Sequence, residues 1–185
     1  MRFIILLLLL VPTASLAQDF AATLDADLNG DGLPDQAKLT ETPEGGAADL
    51  TIFLGQPDGS LKQDVIAKSL VWVGGLYQQP ELSINPHGSL LLNSMNESIG
   101  RDRWHQTLTV AWRDDIFMLA GFTYSWYDTL DLENSGTCDV NLLTGKGKVN
   151  VGNEHIETST FRTKSRSVPI DKWDREPPSE CFPDN

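Results

Sequence analysis

The chain has 185 residues, which is enough for one ordinary domain and short for two. Hydrophobic residues make up 40% and charged residues 22%, which excludes a wholly disordered chain, a collagen and a coiled coil. The formal net charge of −12 repels nucleic acid and anionic lipid, so we expect neither as a partner.

The N-terminus has the layout of a secretory signal peptide. A short basic start leads into an unbroken apolar run over residues 3–11, and the small residues Ser15 and Ala17 precede a cleavage point before Gln18. The run is shorter than the ~20 residues that a membrane-spanning helix needs. We predict that residues 1–17 are removed and that the mature chain is secreted or periplasmic, without membrane insertion. An uncleaved membrane anchor is the alternative.

After a short lead-in, residues 25–35 carry the strongest chemical pattern of the chain, with oxygen-bearing side chains on alternate residues and Gly32 at the turn. Calcium takes six to eight oxygen ligands, and alternate residues of a tightly turning loop point their oxygens inward. The first half of the EF-hand loop pattern is matched, but Lys38 stands where that pattern needs Glu and no flanking helices are predicted. We therefore predict a calcium loop without an EF-hand, with the ligands Asp27, Asn29, Asp31, Leu33 (through its carbonyl) and Asp35.

Two alternatives to calcium remain open for this loop. Magnesium prefers the same oxygens but demands a stricter octahedron, whereas zinc and copper are disfavoured because no His or Cys is nearby. An acidic Asx-rich turn that binds nothing is the structural alternative. Asp25 is available as an extra oxygen beside the predicted ligands.

The segment 27–37 resembles the calcium loop of FG-GAP and VCBS-type repeats. In those families a D-x-N-x-D-G-x-x-D loop precedes a strand and binds calcium in the β-propeller blades of extracellular proteins. The resemblance implies the same five ligands and a β unit that begins after Ala37 and runs to about Val73. The chain has one such loop, and a single blade cannot close a propeller. Residues 141–146 are loosely similar to exported bacterial proteins of unassigned function.

Segments with strand character recur after the loop, and no window shows a capped helical stripe. We predict strands over 48–54, 65–73, 82–85, 89–95, 103–113, 116–127, 137–144, 148–151 and 160–168. Residues 85–88 are typical of a hairpin loop. The sequence therefore predicts one all-β domain over 18–170, built from many short antiparallel strands as a meander that is sandwich-like or partial-propeller-like.

The two cysteines, Cys138 and Cys181, are an even count in an exported chain and predict a disulfide. A reactive thiol is the alternative, but no Cys-x-x-Cys motif is present and neither Cys has a nearby His. The tail over 171–185 is rich in proline and charge, so we expect it to be irregular and tied to the domain by this bridge.

No nucleophile elbow, phosphate-binding loop or metal-spaced histidine pair is present in the sequence, and no catalytic residue is predicted. We expect surface or structural roles for His87, His105 and His155. The acids Asp128, Asp131 and Glu133 follow a long predicted strand, and they are the basis of an alternative reading as a secreted hydrolase or carbohydrate-active domain.

Aromatic residues offer a binding surface, because exposed indoles on a β face stack on sugars or on protein partners. The chain has five, Trp72, Trp104, Trp112, Trp126 and Trp173. We expect Trp104 and Trp112 in the core, because they share strand parity with Leu108 and Val110. Residues 96–98 fit a glycosylation acceptor in a eukaryotic host. The preferred interpretation is an exported, calcium-stabilised binding or structural domain with a protein or glycan partner.

Overall fold

The computed structural model describes residues 20–75 and 77–182. The predicted leader over 1–17 and the last three residues of the predicted tail lie outside these ranges. The described residues form strands β1 (Ala21–Ala26), β2 (Asp35–Glu41), β3 (Ala47–Gly55), β4 (Leu61–Trp72), β5 (Glu81–Ile84), β6 (Leu90–Asn96), β7 (Asp102–Arg113), β8 (Ile116–Asp128), β9 (Asp131–Asn141), β10 (Lys146–Val151) and β11 (Glu157–Arg162).

The strands build two antiparallel sheets, and each sheet is a meander in which consecutive strands pair. The first sheet has the order β1-β2-β3-β4, and the second has the order β11-β10-β9-β8-β7-β6-β5. The regular helical structure of the described residues is limited to two short 3₁₀ turns in the tail, Ile170–Lys172 and Ser179–Cys181. The all-β prediction is therefore confirmed. None of the described helical segments has the length and apolarity that a membrane crossing requires.

One hydrophobic core joins the inner faces of both sheets, because apolar residues alternate with polar ones along the central strands. The first sheet contributes Leu39, Leu50 and Ile52, and the second contributes Leu92, Leu108 and Phe122. Edge strands β1 and β5 lie next to each other, and β4 lies near β6. The two sheets thus pack as a sandwich-like pair.

Several segments differ from the predicted strands: β2 lies in a stretch with no separate predicted strand, and β4 begins four residues before its predicted start. The expected lead-in forms most of β1, although Ala and Asp are weak strand formers, because its backbone pairs with β2. Strand β9 begins at Asp131, and its first four residues are exposed, so hydrogen bonding to β8 and not burial defines this end. Strand β11 ends at Arg162, since the buried Thr163 turns to donate to Glu180 Oε2 over 3.0 Å.

The predicted disulfide joins Cys138 of β9 to Cys181 of the tail, with Cα atoms 5.4 Å apart. Both cysteines are fully buried. The tail over 171–182 is irregular apart from its 3₁₀ turns, as expected, and the bridge holds it against the seven-stranded sheet.

Candidate functional site

The acidic loop predicted to bind calcium connects β1 to β2. Gly30 and Gly32 adopt left-handed φ values of 82° and 83°, which side chains with a Cβ rarely tolerate. The Asp27 carboxylate accepts the Gly30 N–H over 2.7 Å and the Gly32 N–H over 2.9 Å. The two glycines therefore wrap the loop around the carboxylate of its first predicted ligand.

Asn29 and Asp31 form the exposed turn of the loop. The Asn29 amide donates to Asp31 Oδ2 over 2.9 Å, and the Leu33 N–H donates to Asp31 Oδ1 over 2.8 Å. These two hydrogen bonds, the one from Asn29 first, lower the pKa of Asp31. The Asp31 carboxylate is therefore ionised at neutral pH.

Asp35 is the buried end of the loop, with 1% of its surface exposed. Its Oδ2 accepts the N–H groups of Leu28 and Asn29 over 2.8 and 3.3 Å, and its Oδ1 accepts the Gly55 N–H over 2.8 Å. Because Gly55 ends β3, this carboxylate joins the loop to the β3–β4 hairpin. A Cβ on Gly55 would lie 2.5 Å from the carbonyl oxygen of Pro34, so this approach requires glycine.

The donor chemistry of the loop fits calcium, since all five predicted ligands offer oxygen. Each carboxylate oxygen has two acceptor sites, so Asp27 and Asp31 retain acceptor capacity beyond their loop hydrogen bonds. The oxygens do not all converge, however. The carboxylates of Asp27, Asp31 and Asp35 do not lie mutually within 4.8 Å of one another. Cation binding would therefore require them to draw together.

One further acid, Asp64, lies near the loop and was not singled out by sequence. It stands where the pairing of β3 with β4 shifts register between Ile52 and Phe53. Burial raises the pKa of Asp64 against the opposing charge of Lys62, and the carboxylate of Asp35 adds to the rise. No sequence signal marks this residue, because a β-bulge brings it there.

Elsewhere, within the described residues, one set of three His, Cys, Asp or Glu side chains has all its ligand atoms within 4.8 Å of one another: Glu133, Glu154 and His155. All three are exposed. Glu133 accepts the Glu154 N–H over 3.0 Å, and this hydrogen bond contributes most to lowering its pKa. The sequence did not indicate this set, since the β9 strand and the β10–β11 turn meet only in the folded sheet.

Of the three acids behind the hydrolase alternative, Asp128 and Asp131 pair across the β8–β9 turn, whereas Glu133 contacts the β10–β11 turn. Asp128 is buried and forms an ion pair with Arg101. The Arg101 hydrogen bond lowers the pKa of Asp128, and the pKa of Glu133 is also lowered. Both carboxyls are therefore ionised at neutral pH.

The remaining two histidines, His87 and His105, are exposed. His87 lies in the β5–β6 hairpin loop at the predicted position, and its backbone N–H donates to Asn85 Oδ1 over 2.9 Å. His105 contacts Glu97 Oε1 over 2.5 Å, and Tyr127 donates to Glu97 Oε2 over 2.6 Å. Although burial raises the pKa of Glu97, these two hydrogen bonds and the charges of His105 and Arg103 together outweigh it, and the net shift is downward.

Two expectations from sequence need correction. Trp104 shares the face of Leu108, as strand parity predicts, but it is half-buried because its cross-strand neighbours are Asn96 and Trp126 and not aliphatic residues. The amide of Asn96 is not available to a glycan, because it is buried and donates to the carbonyls of Ile99 and Asp102. Trp112 packs against the core, as expected.

Comparisons of the chain with protein-family models, with curated proteins and with solved structures found no match.

Proposed function

We propose that the protein is an exported, non-catalytic binding or structural domain whose fold is stabilised by calcium bound in the loop between β1 and β2. The observation that carries this proposal is the loop itself. Three carboxylates, one amide oxygen and one carbonyl alternate along it, and two left-handed glycines set its turn. Such a concentration of negative charge is relieved when a dication lies among it.

Calcium would hold the loop to the sheet through the ligand that is already fixed. Asp35 is buried and joins three backbone amides of the loop and of β3. Asp27 and Asp31 are exposed and free to close on an ion. The resemblance to FG-GAP and VCBS-type loops supports the same ligands. The metal would be structural, and the surface with which the protein binds its partner would lie elsewhere on the domain.

Export is supported by the leader pattern over 1–17, and the disulfide is of the kind that persists in oxidising compartments. A protein or a glycan is the proposed partner. The acidic net charge of −12 disfavours nucleic acid.

Thermal unfolding with and without calcium tests the proposal. If the affinity is that of extracellular calcium modules, millimolar CaCl₂ should stabilise the fold by about 0.5–1.5 kcal/mol relative to excess chelator. Differential scanning calorimetry in CaCl₂ and in EGTA measures this difference, and isothermal titration of CaCl₂ into the chelated protein measures the affinity directly.

The matched variants are Asp31→Ala and Asp58→Ala. Both residues are exposed acids that accept a backbone N–H two residues ahead, at Leu33 and Ser60 respectively, but only Asp31 is a predicted ligand. Asp31→Ala removes the ligand oxygens and should abolish the calcium-dependent part of the stability, while Asp58→Ala should preserve it. Identical melting curves of the wild type in calcium and in chelator would remove the metal assignment.

A further inference from the structure

A cleft of about 260 Å³ opens where the β4 edge of the first sheet meets the inner face of the second. Three indoles from separate parts of the chain line it: Trp72 of β4, Trp104 of β7 and Trp173 of the tail. In the sequence these three residues are far apart, and no local pattern groups them. The fold brings them to one place, away from the loop between β1 and β2.

Two of the three indoles, Trp72 and Trp104, are held in position before any ligand arrives. The ring centroids of Trp72 and Trp104 are 5.5 Å apart at an interplanar angle of 62°, and Trp104 stacks on Tyr124 at 6.2 Å. The Trp72 ring also lies against Gly74, where a Cβ would come within 2.5 Å of Cη2. Rigid aromatic walls lower the entropic cost of binding.

A buried hydroxyl without a partner lies on the same face. Ser94 of β6 pairs with Gln106 of β7, and both line the cleft. Ser94 exposes only 3% of its surface, and its Oγ has no hydrogen-bond partner within the described residues. Buried polar groups are nearly always hydrogen-bonded, and leaving one unpaired is costly. A ligand hydroxyl would satisfy this group.

The rim of the cleft carries a cationic donor on unusual backbone. Arg175 and Ser69 have positive φ values of 68° and 48°, and Arg175 Nη1 donates to the Ser69 carbonyl over 3.4 Å. Left-handed backbone at residues other than glycine persists where the surrounding structure holds it, often at binding sites. The guanidinium has five donors, so several remain for a ligand beyond the Ser69 contact.

We propose that this cleft binds a ring of a neutral oligosaccharide. A sugar ring has an apolar C–H face that packs on indoles and a rim of hydroxyls that pairs with Ser94, Gln106 and Arg175. A lipid chain would leave those three groups unpaired. The net charge of −12 disfavours an acidic glycan. The inference names a ligand for the binding role proposed above, and it uses no residue of the calcium loop.

The inference is tested by titrating the purified protein with cellohexaose, chitohexaose and maltohexaose. Binding is measured by tryptophan fluorescence and by isothermal titration calorimetry. At least one of these neutral oligosaccharides should give a saturable change in emission and a matching binding isotherm. Each titration is run in CaCl₂ and in EGTA. Sugar binding by a protein whose melting is indifferent to calcium would leave this inference standing and overturn only the calcium proposal.

The discriminating variants are Trp104→Ala and Ser94→Ala, with Trp112→Ala as the control on the same strand. Trp112 packs on Phe117 at a centroid distance of 4.6 Å, outside the cleft. Loss of one indole wall should weaken binding by about tenfold, and loss of one neutral hydrogen bond by about 3- to 12-fold. Ser94→Ala should melt at or above the temperature of the wild type, because it removes an unpaired buried hydroxyl.

Trp112→Ala should bind the oligosaccharide with the affinity of the wild type. The inference is overturned if none of the three neutral oligosaccharides binds, which would leave a peptide or a lipid as the ligand class. It is also overturned if Trp104→Ala and Ser94→Ala, both folded by circular dichroism, bind as tightly as the wild type, or if hexagalacturonate is preferred to every neutral sugar.

Discussion

The buried polar side chains of this protein fall into two groups, according to whether they form hydrogen bonds within the fold. Asp35, Gln78, Asn96, Asp128 and Thr163 each bind a loop or a turn through hydrogen bonds to backbone or side-chain groups. Ser94 is equally buried, yet its hydroxyl has no partner within the described residues. The first five therefore explain how loops attach to the sheets, whereas the Ser94 hydroxyl forms no hydrogen bond within the described residues and is the group to test for ligand binding.

The ion pair of Asp128 with Arg101 gives a pH prediction. The pKa of Asp128 lies below its ordinary value of 3.8, first because Arg101 donates to it and then because the Leu130 N–H does. The unfolded chain takes up the proton at higher pH than the folded chain, so the stabilising contribution is present above the unfolded pKa and is lost as pH falls through the folded one.

We therefore expect Asp128→Asn to lower the free energy of unfolding at neutral pH and the difference from wild type to narrow below about pH 4. Urea unfolding at a series of pH values measures it. Glu44→Gln, an exposed acid in the β2–β3 turn, serves as the control, and its difference from wild type should stay small throughout. If the free energy of unfolding of Asp128→Asn differed from that of the wild type by the same amount down to pH 3, the stabilising role of the Asp128 carboxylate would be contradicted.

At the scale of elements, the strands that hydrophobic alternation specifies were predictable. Strands β6, β7 and β8 bury alternate apolar residues, and their predicted bounds differ from the observed ones by at most one residue at each end. Strand β1 and the start of β9 bury little, so only their backbone pairing defines them. Such strands carry no periodic signal of their own. This is why most of β1 was expected to be part of the lead-in, and why β9 was expected to begin only at residue 137.

The disulfide acts on an element that has almost no regular structure. It ties the tail to β9 across a sequence separation of 43 residues, and a loop of that length contributes about 4 kcal/mol in the chain-entropy estimate. The Cys138→Ser/Cys181→Ser double variant should lose up to that amount in urea unfolding. Addition of reductant should shift the wild type toward the variant and leave the variant itself unchanged. Equal stability of the two proteins would show that the bridge contributes nothing.

At the scale of the molecule, sequence found the candidate calcium loop because its residues are contiguous. The cleft, in contrast, draws Trp72, Trp104 and Trp173 from β4, β7 and the tail, and Ser94 from a fourth segment. Its assembly depends on the packing of one sheet on the other and on the docked tail, which no local pattern encodes. The register of Ser94 with Gln106 likewise emerges only from the β6–β7 pairing.

The single carboxylate of Asp35 couples the acidic loop to the β3–β4 hairpin at the same end of the first sheet. It accepts the amide hydrogen of Gly55 with one oxygen and those of Leu28 and Asn29 with the other. The Gly55 amide hydrogen can exchange with solvent only when its hydrogen bond to the Asp35 carboxylate breaks. Its protection from hydrogen exchange therefore depends on the closed state of a loop whose Asp35 lies 20 residues upstream. Gly55 is thus a built-in spectroscopic reporter: one backbone amide resonance follows opening of the acidic loop from the neighbouring β3–β4 hairpin.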